Sequence, residues 1–207
     1  GAGTSFVDES LTSGITYDYK FYSENYSYYS EGVTAQITTG SKNTDYFKSK
    51  ASGNWNSTGT WETSMDNTNW IDATLTPTSS ASSTTLLNGH TVTVTSAATA
   101  NSLTINSGGY LVINSTSSLD LSGTLVNDNG SSGLVIKSDA TGTGALLHNT
   151  DAVPGTVERY FTGSSNSWHL ISSPIANLEI SGDFTPSGSG YDFYTWHETS
   201  GLWVNKK

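Results

Sequence analysis

Apolar and polar residues alternate in very short bursts through the middle of the chain. Val92 and Val94, Leu103 and Ile105, Leu111 and Ile113, Leu119 and Leu121, and Leu134 and Ile136 each enclose one residue between two apolar ones. A period of two predicts short strands with one buried face. Asn88-Gly89, Gly108-Gly109, Ser122-Gly123 and Asn129-Gly130 separate these bursts. They are residue types that turns use where φ must be positive. The stretch from Leu86 to Leu147 is therefore a run of strands cut by turns. No window carries the i, i+3, i+4, i+7 spacing of an amphipathic helix.

The flanks have other textures. Ser5-Phe6-Val7, the alternation Tyr17, Tyr19, Phe21, and the run Gly32 to Thr39 predict strands in residues 1–40, with Tyr26, Ser27, Tyr28 and Tyr29 in a loop between two of them. Residues 41–53 hold Lys42, Lys48 and Lys50 and read as a solvated linker or irregular crossover. Residues 54–147 bring Trp55, Trp61 and Trp70 and then the repeat. Residues 148–207 bring aromatic strands: Val157 to Phe161, Ser167 to Ile175, Tyr191 to Trp196, and Leu202 to Val204.

Composition narrows the function. The 207 residues carry a net charge of −10, and charged residues make up only 13%. No Lys or Arg lies between Lys50 and Lys137. A nucleic-acid surface needs such residues to displace counterions from phosphates, so nucleic acid is not an expected partner. No apolar run approaches the ~20 residues of a membrane span, so no membrane insertion is expected. The chain has no cysteine, which removes disulfides, thiolate metal sites and thiol nucleophiles. The six Trp and 11 Tyr set it apart from a disordered chain. An acidic, Ser/Thr/Asn/Gly-rich, cysteine-free β chain suits a secreted or bacterial cell-surface protein. With no signal peptide and no initiating Met, it reads as a processed or excised piece.

Three stretches resemble known modules. Leu11, Gly14 and Tyr17 resemble the corner before the penultimate strand of a fibronectin type III domain, which would make residues 1–40 the C-terminal part of such a domain. Gly53-Asn54-Trp55, Thr60-Trp61, Gly89-His90-Thr91-Val92-Thr93-Val94 and Ala100 to Gly109 resemble the opening of β-solenoid modules in large secreted Bacteroidetes proteins. That resemblance implies that Trp55 and Trp61 cap the open end of the stack, where the first coil has no neighbour. The set Val157-Glu158-Arg159-Tyr160, Trp168 to Pro174 and Tyr191 to Trp196 resembles a module that follows such solenoids in proteins exported by type IX secretion. The expected fold class is all-β: a short parallel β-helix flanked by a partial fibronectin III-like sandwich and a C-terminal β module. Periodicity alone leaves an antiparallel sandwich open for 86–147; the resemblance favours the solenoid.

Chemistry is sparse. Asp120, Asp128 and Asp139 are thinly spread and have no basic partner before Lys137, so lyase or hydrolase chemistry is not expected. The four histidines include no i, i+2 or i, i+4 pair. Asp128, between Asn127 and Asn129 beside Gly130, offers oxygens that suit calcium, although such a run is more often a turn; no other cofactor is expected. Flat aromatics beside polar residues suit carbohydrate, and Trp70, Tyr110, Tyr28 and Tyr29 are the candidates. The expected function is a non-catalytic rigid spacer or adhesive module that takes a polysaccharide or cell-surface glycan and adjoins other domains of a longer chain. The alternatives are an accessory region of a secreted polysaccharide-degrading or nucleolytic enzyme, and a type IX secretion cargo fragment engaged with its export machinery.

Overall fold

The computed structural model describes residues 6–9, 11–163, 168–170 and 194–205. The strands expected over 167–175 and 191–196 therefore lie partly outside the described residues. The chain divides into two compact units, residues 1–165 and 166–207. The protein is all-β.

In the first unit three sheets are built circuit by circuit. The chain runs from Thr91–Val94 in the first sheet to Ala98–Ala100 in the second and Leu103–Ile105 in the third. It then repeats the path through Tyr110–Ile113, Ser118–Leu121 and Leu125–Asn127. Leu134–Ile136, Ala145–Leu147 and Thr156–Val157 extend the first and second sheets. Each strand pairs in parallel with the equivalent strand of the next circuit: Val92 with Leu111, Leu111 with Leu134, Leu103 with Leu125, and Ala98 with Leu119. Like therefore stacks on like. Val92, Val94, Leu103, Ile105, Leu111, Ile113 and Leu119 are all buried in one continuous core. The apolar pairs of the sequence are the inward positions, and Thr, Ser and Val occupy the outward ones. No antiparallel pairing occurs among the Leu86–Leu147 strands except in the small hairpin of Ser138–Asp139 with Gly142–Thr143.

Three successive strands of the first sheet are each preceded by a left-handed glycine, the third of which opens a short helical turn, Gly130–Gly133. Gly89, Gly108 and Gly130 have φ of +79°, +77° and +64°, the left-handed conformation that glycine adopts without a Cβ clash. Asparagine amides bond these corners to one another. Asn88 Nδ2 donates to the Ser107 carbonyl at 3.1 Å, and Asn129 accepts from the Gly108 N–H at 2.9 Å while donating to the Gly109 carbonyl at 2.8 Å. Bonds of this kind satisfy backbone groups that a corner takes out of the ladder.

The first end of the stack departs from the expected plan. Residues 41–53, read as a solvated linker, contain the strand Tyr46–Ser49, whose Phe47 and Ser49 are buried. Three lysines raised the apparent polarity of that stretch. Two of them, Lys48 and Lys50, alternate with core positions and carry their charges toward water on long side chains. Trp61–Ser64 and Ile71–Asp72 then add to the third sheet in antiparallel sense.

The N-terminal segment is an antiparallel ribbon, Thr16–Phe21 with Val33–Thr38. The Thr12 N–H donates to the Tyr17 hydroxyl at 3.0 Å. Phe6 and Val7, expected as a strand, run irregularly instead. Phe6 meets Tyr19 and Phe21 edge to face, at 6.2 and 6.1 Å between ring centroids. Ser41 and Thr74 tie the ribbon's exit to the stack by reciprocal bonds of 2.9 and 2.8 Å. In the second unit, Tyr194–His197 and Leu202–Asn205 form a hairpin on which Trp196 lies directly opposite Trp203.

Candidate functional site

The expected carbohydrate-binding residues separate into three places. Trp70 precedes the edge strand Ile71–Asp72 and is half-buried. The loop before it is set by Asp66, whose carboxylate accepts from Ser64 Oγ, the Thr68 and Asn69 N–H groups and Asn69 Nδ2, all within 2.7–2.9 Å. These donors, the Asn69 backbone first, hold the Asp66 carboxyl well below the usual carboxylate range. Lys48 stands over the Trp70 ring with its ammonium 4.1 Å from the centroid and pairs with Glu62 at 3.2 Å. Lys50 pairs with Asp72 at 2.5 Å along the same edge. A cation of the chain itself thus already covers the face that a sugar would stack on.

Tyr110 opens its strand in the first sheet, with its N–H bonded to the His90 carbonyl at 2.9 Å. Its register partner is Thr91, and it is 39% exposed. A hydroxyl beside an exposed ring is a pairing a sugar can use, but this is a single ring.

Tyr28 and Tyr29 are far more exposed, at 82% and 68%. They form one strand of a tight hairpin in which Asn25 faces Tyr28 and Glu24 faces Tyr29. The two-residue turn between the strands is Tyr26-Ser27, with φ of +48° and +74°. Two successive positive φ values match the hairpin turn that usually takes Asn-Gly, so the sequence carried no turn signal here. The turn leaves Tyr26 almost fully in solvent. Tyr22, just outside the hairpin, meets Tyr29 edge to face at 6.4 Å and carries the Lys20 ammonium 5.2 Å from its centroid. Tyr22, Glu24 and Tyr26 were not among the expected site residues. The run of tyrosines from 22 to 29 was the signal available for them.

Trp55 and Trp61 are inside. Both indoles are fully buried, and they meet edge to face at 5.1 Å. Trp61 Nε1 donates to the Trp55 carbonyl at 2.8 Å, and Trp55 Nε1 to the Pro77 carbonyl at 3.3 Å.

Asp128 is exposed at the repeated corner, with its N–H bonded to the Ile105 carbonyl at 2.8 Å. The amides expected to help it bind calcium are committed elsewhere. Asn127 Oδ1 accepts from the Asn129 N–H at 3.1 Å, and Asn129 Oδ1 accepts from Gly108. The stretch is a turn whose amide oxygens serve the stack. Among the described residues no group of three or more His, Cys, Asp or Glu could hold a metal ion. His90 Nδ1 lies 2.9 Å from the buried Ser49 Oγ, which also accepts the Leu87 N–H. That serine sits in the core and joins two circuits.

The chain matches no family model, no curated protein and no solved structure.

Proposed function

We propose that this chain is a non-catalytic spacer and adhesive segment of a secreted or cell-surface bacterial protein, and that its ligand is a polysaccharide. The architecture that fits this role is a short parallel β-solenoid, closed at its first end by Trp55 and Trp61 and preceded by part of a fibronectin III-like sandwich. The parallel register from circuit to circuit supports the solenoid reading. The Thr12–Tyr17 bond supports the sandwich reading, because a corner tyrosine there bonds to backbone a few residues upstream. On the same reading the second unit belongs to the C-terminal β module, and export follows the type IX route of the secreted Bacteroidetes proteins it resembles.

One contrast carries the binding proposal. The stack buries most of its large apolar side chains and exposes others singly, such as Val126 and Leu147, whereas the N-terminal hairpin holds Tyr26, Tyr28 and Tyr29 together out in water. Large exposed aromatics on an ordered element mark an interaction surface. Tyrosine offers a sugar both an apolar face and a polar edge. Tyr110 is a secondary contact on the stack, and Trp70 becomes one only if Lys48 moves away.

Affinity electrophoresis of the whole chain through gels containing a panel of neutral, amine-bearing and acidic polysaccharides tests this function. Retardation by at least one polymer, relieved by Tyr28→Ala with Tyr29→Ala, is the expected result. Migration unaffected by every polymer would overturn it.

A further inference from the structure

We infer that the tyrosine hairpin selects a glycan bearing protonated amines, an amino-sugar polymer rather than a neutral or acidic one. The inference rests on the polysaccharide reading above and names the ligand class for the same hairpin.

The first observation is a cation already in place. Lys20 puts its ammonium over the Tyr22 ring. Tyrosine faces attract ammonium groups through the negative face of the ring. Tyr22 in turn packs edge to face against Tyr29. The second observation is that the neighbouring ring has no cation of its own. Glu24 lies directly opposite Tyr29 in the hairpin register, so the carboxylate and the ring share one face. Among the described residues no ammonium stands over Tyr29 and no ion pair engages Glu24. A ring face beside an unpaired carboxylate is what an ammonium needs: quadrupole attraction on one side and a charged hydrogen-bond acceptor on the other.

The third observation is charge complementarity. Residues 1–40 contain Asp8, Glu9, Asp18, Glu24 and Glu31 against the single basic residue Lys20, in a chain of net charge −10. A uronic or sulfated polymer would be repelled from this segment, and a polyamine would be drawn to it. The amine rather than the sugar ring is therefore the selective feature. Asn25 and the tyrosine hydroxyls remain to bond ring hydroxyls of the same polymer.

The test uses the whole chain at about pH 6, where amino-sugar amines are largely charged. Binding to glucosamine oligomers is compared with binding to N-acetylglucosamine oligomers, galacturonic acid oligomers and polylysine. The expected result is preferential binding of the glucosamine oligomers. Glu24→Gln and Tyr29→Leu should each weaken that binding about threefold, while Tyr29→Phe, which keeps the ring face, retains it. Each variant's circular dichroism should match the parent's, because the hairpin lies outside the buried core. Equal binding of the N-acetylated oligomers, or preference for the acidic ones, would overturn the amine inference and leave polysaccharide binding standing. Binding of polylysine without binding of glucosamine oligomers would overturn it in favour of a basic protein. Failure of every glycan would remove both readings together.

Discussion

Trp61 donates its indole N–H to the carbonyl of Trp55, and the two rings meet edge to face inside the first circuit. One side chain therefore fills the interior and satisfies a backbone acceptor that the chain leaves outside its ladders. Removing it does two kinds of damage. Trp61→Ala should cost ~3–5 kcal/mol through lost packing and a cavity. Trp61→Phe keeps most of the volume but strands the Trp55 carbonyl, for about 1–3 kcal/mol. Urea unfolding of the two variants, followed by far-UV circular dichroism, separates the contributions.

The repeated corner gives a paired comparison. Gly89 and Gly108 both adopt left-handed backbone, so alanine at either should cost about 1–2 kcal/mol in conformational strain. A Cβ at Gly89 meets open space, whereas at Gly108 it would run into the Asn88 amide. Gly108→Ala should therefore be the more destabilising of the two. Equal unfolding midpoints would show that the corners are not stacked as described.

The corner asparagines should matter more than their exposed neighbour. Asn129→Ala removes the acceptor for Gly108 N–H and the donor to Gly109, and should destabilise by ~1–3 kcal/mol. Asp128→Ala, next to it, should stay within about 0.5 kcal/mol. Thermal melts of the two variants side by side check the contrast.

Acid should weaken the stack partly through Asp139. Hydrogen bonds from Ser115 Oγ, then from the Thr141 hydroxyl and N–H, hold its carboxyl down to about 2. A depressed folded value means that the carboxylate adds stability above its unfolded value of about 3.9. That contribution fades as pH falls from there through the folded value. Asp66 acts in the same direction. Asp139→Asn should flatten the fall in urea midpoint between about pH 4 and pH 2, and an unchanged slope would remove Asp139 from the account.

Much of the stack was legible because its physics is local. Each x-apolar-x-apolar burst became a strand with its apolar residues inward, and the glycine turns fell at the corners. Partner choice was not legible, because an alternating strand looks the same whether its neighbour lies one turn away or one circuit away. Tyr46–Ser49 does not read as a strand from composition, because Lys42, Lys48 and Lys50 in and around it outweigh one buried Phe47. The candidate surface was half legible. The cluster of tyrosines marked the hairpin, but nothing in the sequence showed that Tyr26-Ser27 would take a turn normally made by Asn-Gly, or that Glu24 would face Tyr29. Trp70 looked as promising as any tyrosine until the register brought Lys48 over its ring.

The central claim is that strands one circuit apart lie side by side, and the absence of native cysteine makes it directly measurable. Thr104 and Val126 are outward register partners in adjacent circuits. Neighbouring strands lie about 4.8 Å apart, within the span that a disulfide bridges. Thr104 and Val112 belong to different sheets, but they would be neighbours if successive strands paired as an antiparallel meander. Under mild oxidant, Thr104→Cys with Val126→Cys should close to an intramolecular disulfide, seen as faster migration on a non-reducing gel, while Thr104→Cys with Val112→Cys stays open. Closure of the second pair and not the first would contradict the stacked parallel circuits.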